Sequence, residues 1–234
     1  MIYRLAGLLT NRIRKYNFYS EEEIEKIDYA LKAILGEAFK LVVLLIIFFF
    51  LGKVNFFMFS LLILMTIRSF SGGIHFDTTF KCLVFTILFF LVTSFIAPNI
   101  NINYLNINYT LGIISFIIIC IKSPCPSPRR PIKRKKRRRI LKNLSIFSTA
   151  IWLYILFGYV KNVQLLNCGI STLFLLSVQL INIKGVFPMK KLFKLKPNMF
   201  FLLGVLLISS AELIASSSSF FLFGEPKPPK SLLK

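Results

Sequence analysis

Long apolar runs follow one another along most of the chain, and short polar segments separate them. The clearest runs cover residues 41–52, 54–67, 83–97, 111–121, 146–160 and 165–183. They approach the length of about 20 residues that an α-helix needs to cross the core of a bilayer. We therefore predict an all-α, polytopic membrane protein with about six transmembrane helices, of which the first two form a tight, tilted hairpin.

The segment before the first run has an amphipathic pattern instead. Ser20 followed by Glu23 is a capping-box signature, and apolar residues recur at helical spacing from Ile24 to Ile34. We expect an N-terminal amphipathic helix that lies along the inner face of the membrane as far as about Lys40.

The charge of the chain changes how its polar segments are interpreted. Hydrophobic residues make up 56% of the chain, yet the formal net charge is +21. Such a charge would suggest nucleic acid as the partner of a soluble protein, but in a polytopic membrane protein basic residues mark cytoplasmic loops. They cluster in the N-terminal segment, in 122–142 and after Lys184. Both termini and the segment from Arg68 to about Lys81 are therefore expected on the cytoplasmic side. The partners expected for the basic segment 133–139 are anionic lipid headgroups and not nucleic acid.

The candidate chemistry lies in the segment RSFSGGIHFDTTFKC, residues 68–82. It contains His75, which is the only histidine of the chain, and Cys82. A cysteine nucleophile needs a base or ion-pair partner and donors for the oxyanion that forms during acyl transfer. Gly72 and Gly73 allow backbone conformations closed to other residues, so that the segment can bend and present N–H groups.

Two charged residues of the same segment have candidate supporting roles. Arg68 could assist with developing negative charge or anchor a substrate carboxyl group. Asp77 could orient the imidazole of His75, although a solvated loop carboxylate is an equally good interpretation. On one straight helix, His75 and Cys82 would lie about 10 Å apart along the axis, so we predict that the helix begins after His75.

The alternative is that the thiol and the imidazole have no chemical role. A lone cysteine in an apolar helix usually packs, and a histidine at a membrane edge is often interfacial. Cys120, Cys125 and Cys168 have no histidine nearby in sequence and are assigned packing or no role. With one histidine and no metal-ligand spacing of the cysteines, neither a metal nor a cofactor is expected.

The pattern R…GG-x-H-x6-C, formed by Arg68, Gly72, Gly73, His75 and Cys82, resembles the accessory gene regulator B (AgrB) family. The N-terminal EIEKIDYALKAILGE and the Pro-rich basic loop are also similar to that family, and the resemblance spans residues 1–188. These are membrane endopeptidases that process quorum-sensing peptide precursors. The resemblance implies a multi-pass protein of the cell membrane, with His75 and Cys82 as catalytic pair at the cytoplasmic face and Cys82 as nucleophile.

A second unit is predicted for residues 189–234. It has a start-like Met189, a basic lead, an apolar helix at 199–215, a serine run and a Pro/Lys-rich tail. This segment resembles the autoinducing-peptide precursor AgrD, with an amphipathic or membrane helix. The alternative is a further transmembrane helix followed by a disordered tail.

Alignment of the tail with the precursor pattern implies specific processing sites. The ring segment would be 219–223, closed by Ser219, and cleavage would fall between Phe223 and Gly224, which releases the tail 224–234. The residues implied in recognition of the tail are Pro226, Pro229, Lys230 and Leu232. The ring residue of this family is usually cysteine, so Ser219 implies a lactone instead of a thiolactone. Whether the fusion and Ser219 are natural or engineered stays open.

The sequence thus favours a membrane cysteine endopeptidase that cleaves a precursor after Phe223 and helps to cyclise it through Ser219. The precursor would be joined to the enzyme in one chain, and the oligomeric state stays open, a homo-oligomer included. The alternatives are a small transporter or a scaffold with a non-catalytic His/Cys pair. Few ionisable residues lie in the spans, which argues against a transporter.

Overall fold

The fold was taken from a computed structural model, which describes residues 2–15, 19–74, 79–100, 105–126, 132 and 134–181. The regular secondary structure of these residues is helical, as predicted. The elements are α1 (Ile2–Arg14), α2 (Glu21–Phe50), α3 (Val54–Ser71), α4 (Thr79–Phe90), a π-helical turn (Leu91–Ile96), α5 (Ala97–Asn99), α6 (Leu105–Lys122), α7 (Lys135–Gly158) and α8 (Val163–Ile181).

Five of these helical segments are long and apolar enough to cross a membrane. They are Glu21–Phe50, Val54–Ser71, Phe80–Asn99, Lys135–Gly158 and Val163–Ile181, and a shorter apolar helix covers Asn106–Lys122. The predicted hairpin is present, since a short turn joins α2 to α3. The all-α, polytopic fold class is therefore confirmed.

Two predicted boundaries are wrong, each because a helix continues through a change of polarity. We expected the amphipathic helix to end at about Lys40, but α2 is continuous from Glu21 to Phe50. Gly36 is the only helix breaker in its interior, and one glycine costs a helix only about 1 kcal/mol. The basic segment was expected to be a loop as far as residue 142, but α7 begins at Lys135, a few residues after Pro131, the last proline of this segment.

The start of α2 confirms the predicted capping box. The backbone N–H of Ser20 donates to Glu23 Oε2 at 2.7 Å, and the N–H of Glu23 donates to Ser20 Oγ at 3.4 Å. This cap begins the helix where the chain returns from α1. Apolar side chains of α1 and of the first half of α2 then form a small core of their own: Ala6, Ile13, Ile24, Ile27 and Ala30.

The membrane-spanning bundle is centred on α8, which packs against α3, α6 and α7. Aromatic packing fixes α2, α3 and α4 at one level, where the rings of Phe48 and Phe57 stack with centroids 4.9 Å apart. Hydroxyl groups link the spans at another level. Ser60 Oγ lies 3.0 Å from Thr93 Oγ1, in the π-helical turn, and 2.7 Å from Thr172 Oγ1. Hydrogen bonds of this kind between spans hold their register.

The two linkers that follow α3 and α6 pair at one end of the bundle. The N–H of Gly73 donates to the carbonyl of Cys125 at 3.1 Å, and the N–H of Cys125 donates to the carbonyl of Ser71 at 2.7 Å. The start of α4 and the last turn of α8 lie at the same end of the fold. This end therefore collects polar side chains from several helices.

Candidate active site

The thiol of Cys82 lies in the first turns of α4, and its residue is 0% exposed. It adjoins the apolar core of the bundle, and polar groups lie on one side of it. Cys82 Sγ is 3.5 Å from Lys40 Nζ on α2 and 3.9 Å from Thr86 Oγ1, one turn further along α4. The sulfur is therefore held in a charged site inside the bundle and not among the apolar side chains that face lipid.

The cation beside the sulfur has a carboxylate partner on its own helix. Lys40 is 2% exposed and Glu37 is 8% exposed, and the Lys40 ammonium donates to Glu37 Oε1. Residues three apart lie on one face of an α-helix, so both side chains point toward α4. Burial of either charge alone would be very unfavourable, and the ion pair offsets much of that cost.

Arg68 brings a second buried cation to the site from the last turn of α3. Its side chain is fully buried, and Nη1 donates to Gln179 Oε1 of α8 at 2.7 Å. Nη2 donates to the backbone carbonyl of Ile74 in the linker to α4. The guanidinium also lies close enough to Cys82 and Glu37 to interact with their charges.

Gly72 and Gly73 allow the linker to pass close to its neighbours. Their φ angles are +74° and +150°, values that other residues rarely adopt. A Cβ on Gly72 would lie 2.0 Å from the carbonyl oxygen of Cys125, and a Cβ on Gly73 would lie 2.4 Å from Arg68 Nη1. The glycine pair is thus required by close approach at this end of the bundle, in addition to the bend that the sequence suggested.

The structure brings together four of the residues that the sequence singled out: Arg68, Gly72, Gly73 and Cys82. The described part of α4 begins at Thr79, and residues 75–78 lie outside the described residues, so the expectation that the helix begins after His75 stays a prediction. The described residues do not include His75 and Asp77. The same holds for all residues assigned to the precursor segment, namely Ser219, Phe223, Gly224, Pro226, Pro229, Lys230 and Leu232. These assignments stay predictions.

Three side chains of the site were missed from the sequence: Glu37, Lys40 and Gln179. Lys40 was taken as the end of the amphipathic helix, so its charge looked solvated. A signal was available, because Glu37 and Lys40 stand three apart next to the apolar run 41–52, where an ion pair on one face can be buried. Gln179 carries no local signal and became visible only through its contact with Arg68.

These features define a polytopic, all-α membrane protein with a buried thiol in a cluster of ionisable side chains. Comparison with known proteins assigns the family. The model of the family AgrB, accessory gene regulator B, matches residues 6–183. The chain therefore belongs to the accessory gene regulator B family, whose members are regulator proteins of quorum sensing. The segment 184–234 lies outside the match.

Individual relatives agree with this assignment. A putative AgrB-like protein of Clostridium beijerinckii is 36% identical over 172 residues, which are 71% of this chain and 82% of the relative. Accessory gene regulator protein B of Staphylococcus aureus strain Newman is 35% identical over 101 residues, 40% of this chain and 53% of the relative. The same protein of strain JH9 is 26% identical over 168 residues, 71% of this chain and 89% of the relative. No solved structure matches the chain.

Proposed function

We propose that this protein is a membrane cysteine endopeptidase that cleaves a quorum-sensing peptide precursor and helps to cyclise the product. The observation that carries the proposal is the position of Cys82 Sγ, 3.5 Å from a buried ammonium group in the polar end of an apolar bundle. A thiol that only packed would not need buried charges beside it. Membership of the accessory gene regulator B family supports the role in quorum sensing.

In the proposed first step, the imidazole of His75 takes the proton of Cys82, and the thiolate attacks the carbonyl carbon of Phe223. The bond between this carbon and the nitrogen of Gly224 breaks, and His75 returns its proton to the departing amine. The products are the free tail 224–234 and a thioester between Phe223 and Cys82. No oxidant, reductant or metal enters this step.

In the second step, Ser219 Oγ attacks the thioester carbonyl while His75 takes the serine proton. The thiolate of Cys82 leaves, which gives a lactone of residues 219–223 and restores the enzyme when the proton returns to the sulfur. A serine hydroxyl is a weak nucleophile near neutral pH, so this step depends on the base. Burial of Cys82 supports the outcome, because exclusion of water favours cyclisation over hydrolysis.

Arg68 is proposed as a positioning residue. Its guanidinium is held by Gln179 and donates to the carbonyl of Ile74, the residue directly before His75. This contact ties the linker that carries the imidazole to the end of α3. A role in anchoring a substrate carboxyl, which the sequence left open, is less well supported because both terminal nitrogens already have acceptors inside the protein.

The substrate is proposed to be segment 189–234 of the same chain. Its helix at 199–215 would lie in or on the membrane and bring the ring segment 219–223 to Cys82, with Pro226, Pro229, Lys230 and Leu232 as recognition residues of the tail. A tether of this kind converts a bimolecular encounter into an intramolecular one.

The site would face the cytoplasm, since basic residues at the start of α7 stand at this end of the bundle and favour the inner leaflet with its anionic lipids.

The intact mass of the purified chain tests the proposal. We expect the wild-type protein to lose residues 224–234 and the Cys82→Ala variant to keep them. Cys168→Ala is the matched control, since Cys168 is equally buried in the bundle but far along the fold, where its thiol donates to the carbonyl of Phe56. Cys168→Ala should lose residues 224–234 as the wild-type protein does. Release of the tail by Cys82→Ala, or retention of the tail by Cys168→Ala, would contradict the assignment.

A second measurement tests the ring assignment. The lactone of 219–223 is lighter than the corresponding free acid by one water, so mass spectrometry separates cyclisation from hydrolysis. Ser219→Cys should increase the cyclic product, because a thiol is a better nucleophile than a hydroxyl near neutral pH. An unchanged ratio of cyclic to linear product would show that residue 219 does not close the ring.

A further inference from the structure

We propose that Lys40 is an additional catalytic residue, which stabilises the thiolate that forms when His75 takes the proton of Cys82, and that Glu37 positions its ammonium group. The inference rests on the proposed function, because it assigns a role in the reaction of that same thiol. It is carried by the contact between Lys40 Nζ and Cys82 Sγ at 3.5 Å, between two side chains that are 2% and 0% exposed.

The charges near the sulfur support a thiolate. The Lys40 ammonium contacts Cys82 Sγ at 3.5 Å, and the guanidinium of Arg68 lies close enough to interact with the charge of Cys82. Opposite charges attract strongly at the low dielectric of a buried site, so both cations favour the ionised sulfur. The carboxylate of Glu37 acts in the opposite direction, which makes the direct contact of Lys40 with the sulfur the important one.

The two cations have different tasks in this arrangement. Arg68 is directed to Gln179 and to the carbonyl of Ile74, and these acceptors fix its guanidinium. The Lys40 ammonium contacts the sulfur itself while it also donates to Glu37 Oε1. Lys81, which precedes Cys82 in α4, has an exposed side chain. Among the contacts of the described residues, that of Lys40 thus brings a cation directly to the reacting atom.

This contact matters in both proposed steps. The thiolate is the nucleophile when the bond between Phe223 and Gly224 breaks, and it is the leaving group when Ser219 closes the ring. An ammonium group at the sulfur stabilises the thiolate at each of these points. Protons are still transferred by His75, so Lys40 remains charged throughout and no further reactant is required.

The pH dependence of thiol alkylation tests the inference without any substrate step. Full-length protein with Cys120, Cys125 and Cys168 replaced by Ala leaves Cys82 as the only thiol. Its rate of reaction with iodoacetamide is measured against pH. Burial slows the reaction at every pH, whereas the midpoint of the profile reports ionisation of the thiol. Glu37→Gln and the double variant Glu37→Gln/Lys40→Met are compared in this background.

The two variants are expected to shift the midpoint in opposite directions. The double variant removes both members of the ion pair, so it leaves no unpaired carboxylate, and its midpoint should rise by about 1 unit or more because the cation is lost. Glu37→Gln removes a negative charge and keeps Lys40, so its midpoint should fall. Lys40→Arg, which keeps the cation, should stay closer to wild type than the double variant.

An unchanged midpoint in the double variant would overturn the inference, and so would an upward shift in Glu37→Gln. A general folding defect cannot produce shifts of opposite sign, and if the double variant does not fold, the sign of the Glu37→Gln shift decides. Failure of the proposed function is seen separately. It would appear as release of residues 224–234 by Cys82→Ala, which the alkylation profile does not involve.

Discussion

Replacement of Gly72 by Ala is the sharpest test of how the two linkers are joined. Gly72 follows the last residue of α3 and has φ +74° and ψ −153°, a region of backbone conformation that is essentially restricted to glycine. Its added Cβ would lie 2.0 Å from the carbonyl oxygen and 2.7 Å from the carbonyl carbon of Cys125. These are backbone atoms, so a change of rotamer cannot relieve the contact.

The expected cost has two parts. Forcing alanine into this backbone region costs about 1–3 kcal/mol. The contact with Cys125 then requires the linkers to separate, which weakens the hydrogen bonds of Gly73 to Cys125 and of Cys125 to Ser71 at 3.1 and 2.7 Å. Together we expect a loss of about 3 kcal/mol in the free energy of unfolding. This loss is on the order of a hundredfold in the unfolding equilibrium constant.

The assay is equilibrium unfolding of the purified protein in mixed detergent micelles, with release of residues 224–234 measured on the same samples. Gly36→Ala is the matched control. Gly36 lies within α2, and a Cβ there would meet no atom within 4 Å. This control should be neutral or stabilise the protein by up to about 1 kcal/mol. Equal stability of Gly72→Ala and wild type would refute the close approach of the linkers.

Two further predictions concern the same end of the bundle. Gln179→Leu removes the acceptor that Arg68 Nη1 contacts at 2.7 Å, so equilibrium unfolding should show a loss of about 2 kcal/mol. Gln179→Glu keeps an acceptor and should lose less, and equal losses would contradict this role. Burial raises the pKa of the Cys125 thiol, so a variant with Cys125 as its only cysteine should be alkylated with a pH midpoint above about 8.5. Because the raised pKa means that the folded state holds this proton longer, the associated stability should decline as pH rises past that value, and a midpoint at or below that of a free thiol would refute the burial.

Most of the fold could be predicted from the sequence, because the bilayer imposes a length and a polarity on each transmembrane helix. The apolar runs near 54–67, 83–97 and 165–183 all correspond to helices, and the capping box at Ser20 marks the start of α2. The two wrong predictions placed the end or the start of a helix at positions where the observed helix is continuous. Polarity changes abruptly at Lys40 and again after Lys142, but the backbone needs a proline or a cap to end a helix, and neither is present there.

Only part of the site could be predicted from the sequence, because its charged side chains come from helices that are far apart along the chain. His75 and Cys82 stand close in sequence, so a local motif could suggest them. Lys40 stands 42 residues before Cys82, and its partner Glu37 looks like an ordinary member of an amphipathic helix. Their burial depends on the way α2 packs against α4, which no single segment specifies. An ion pair next to an apolar run is therefore best regarded as a candidate for burial, and in this chain that criterion would have identified the cation at the sulfur.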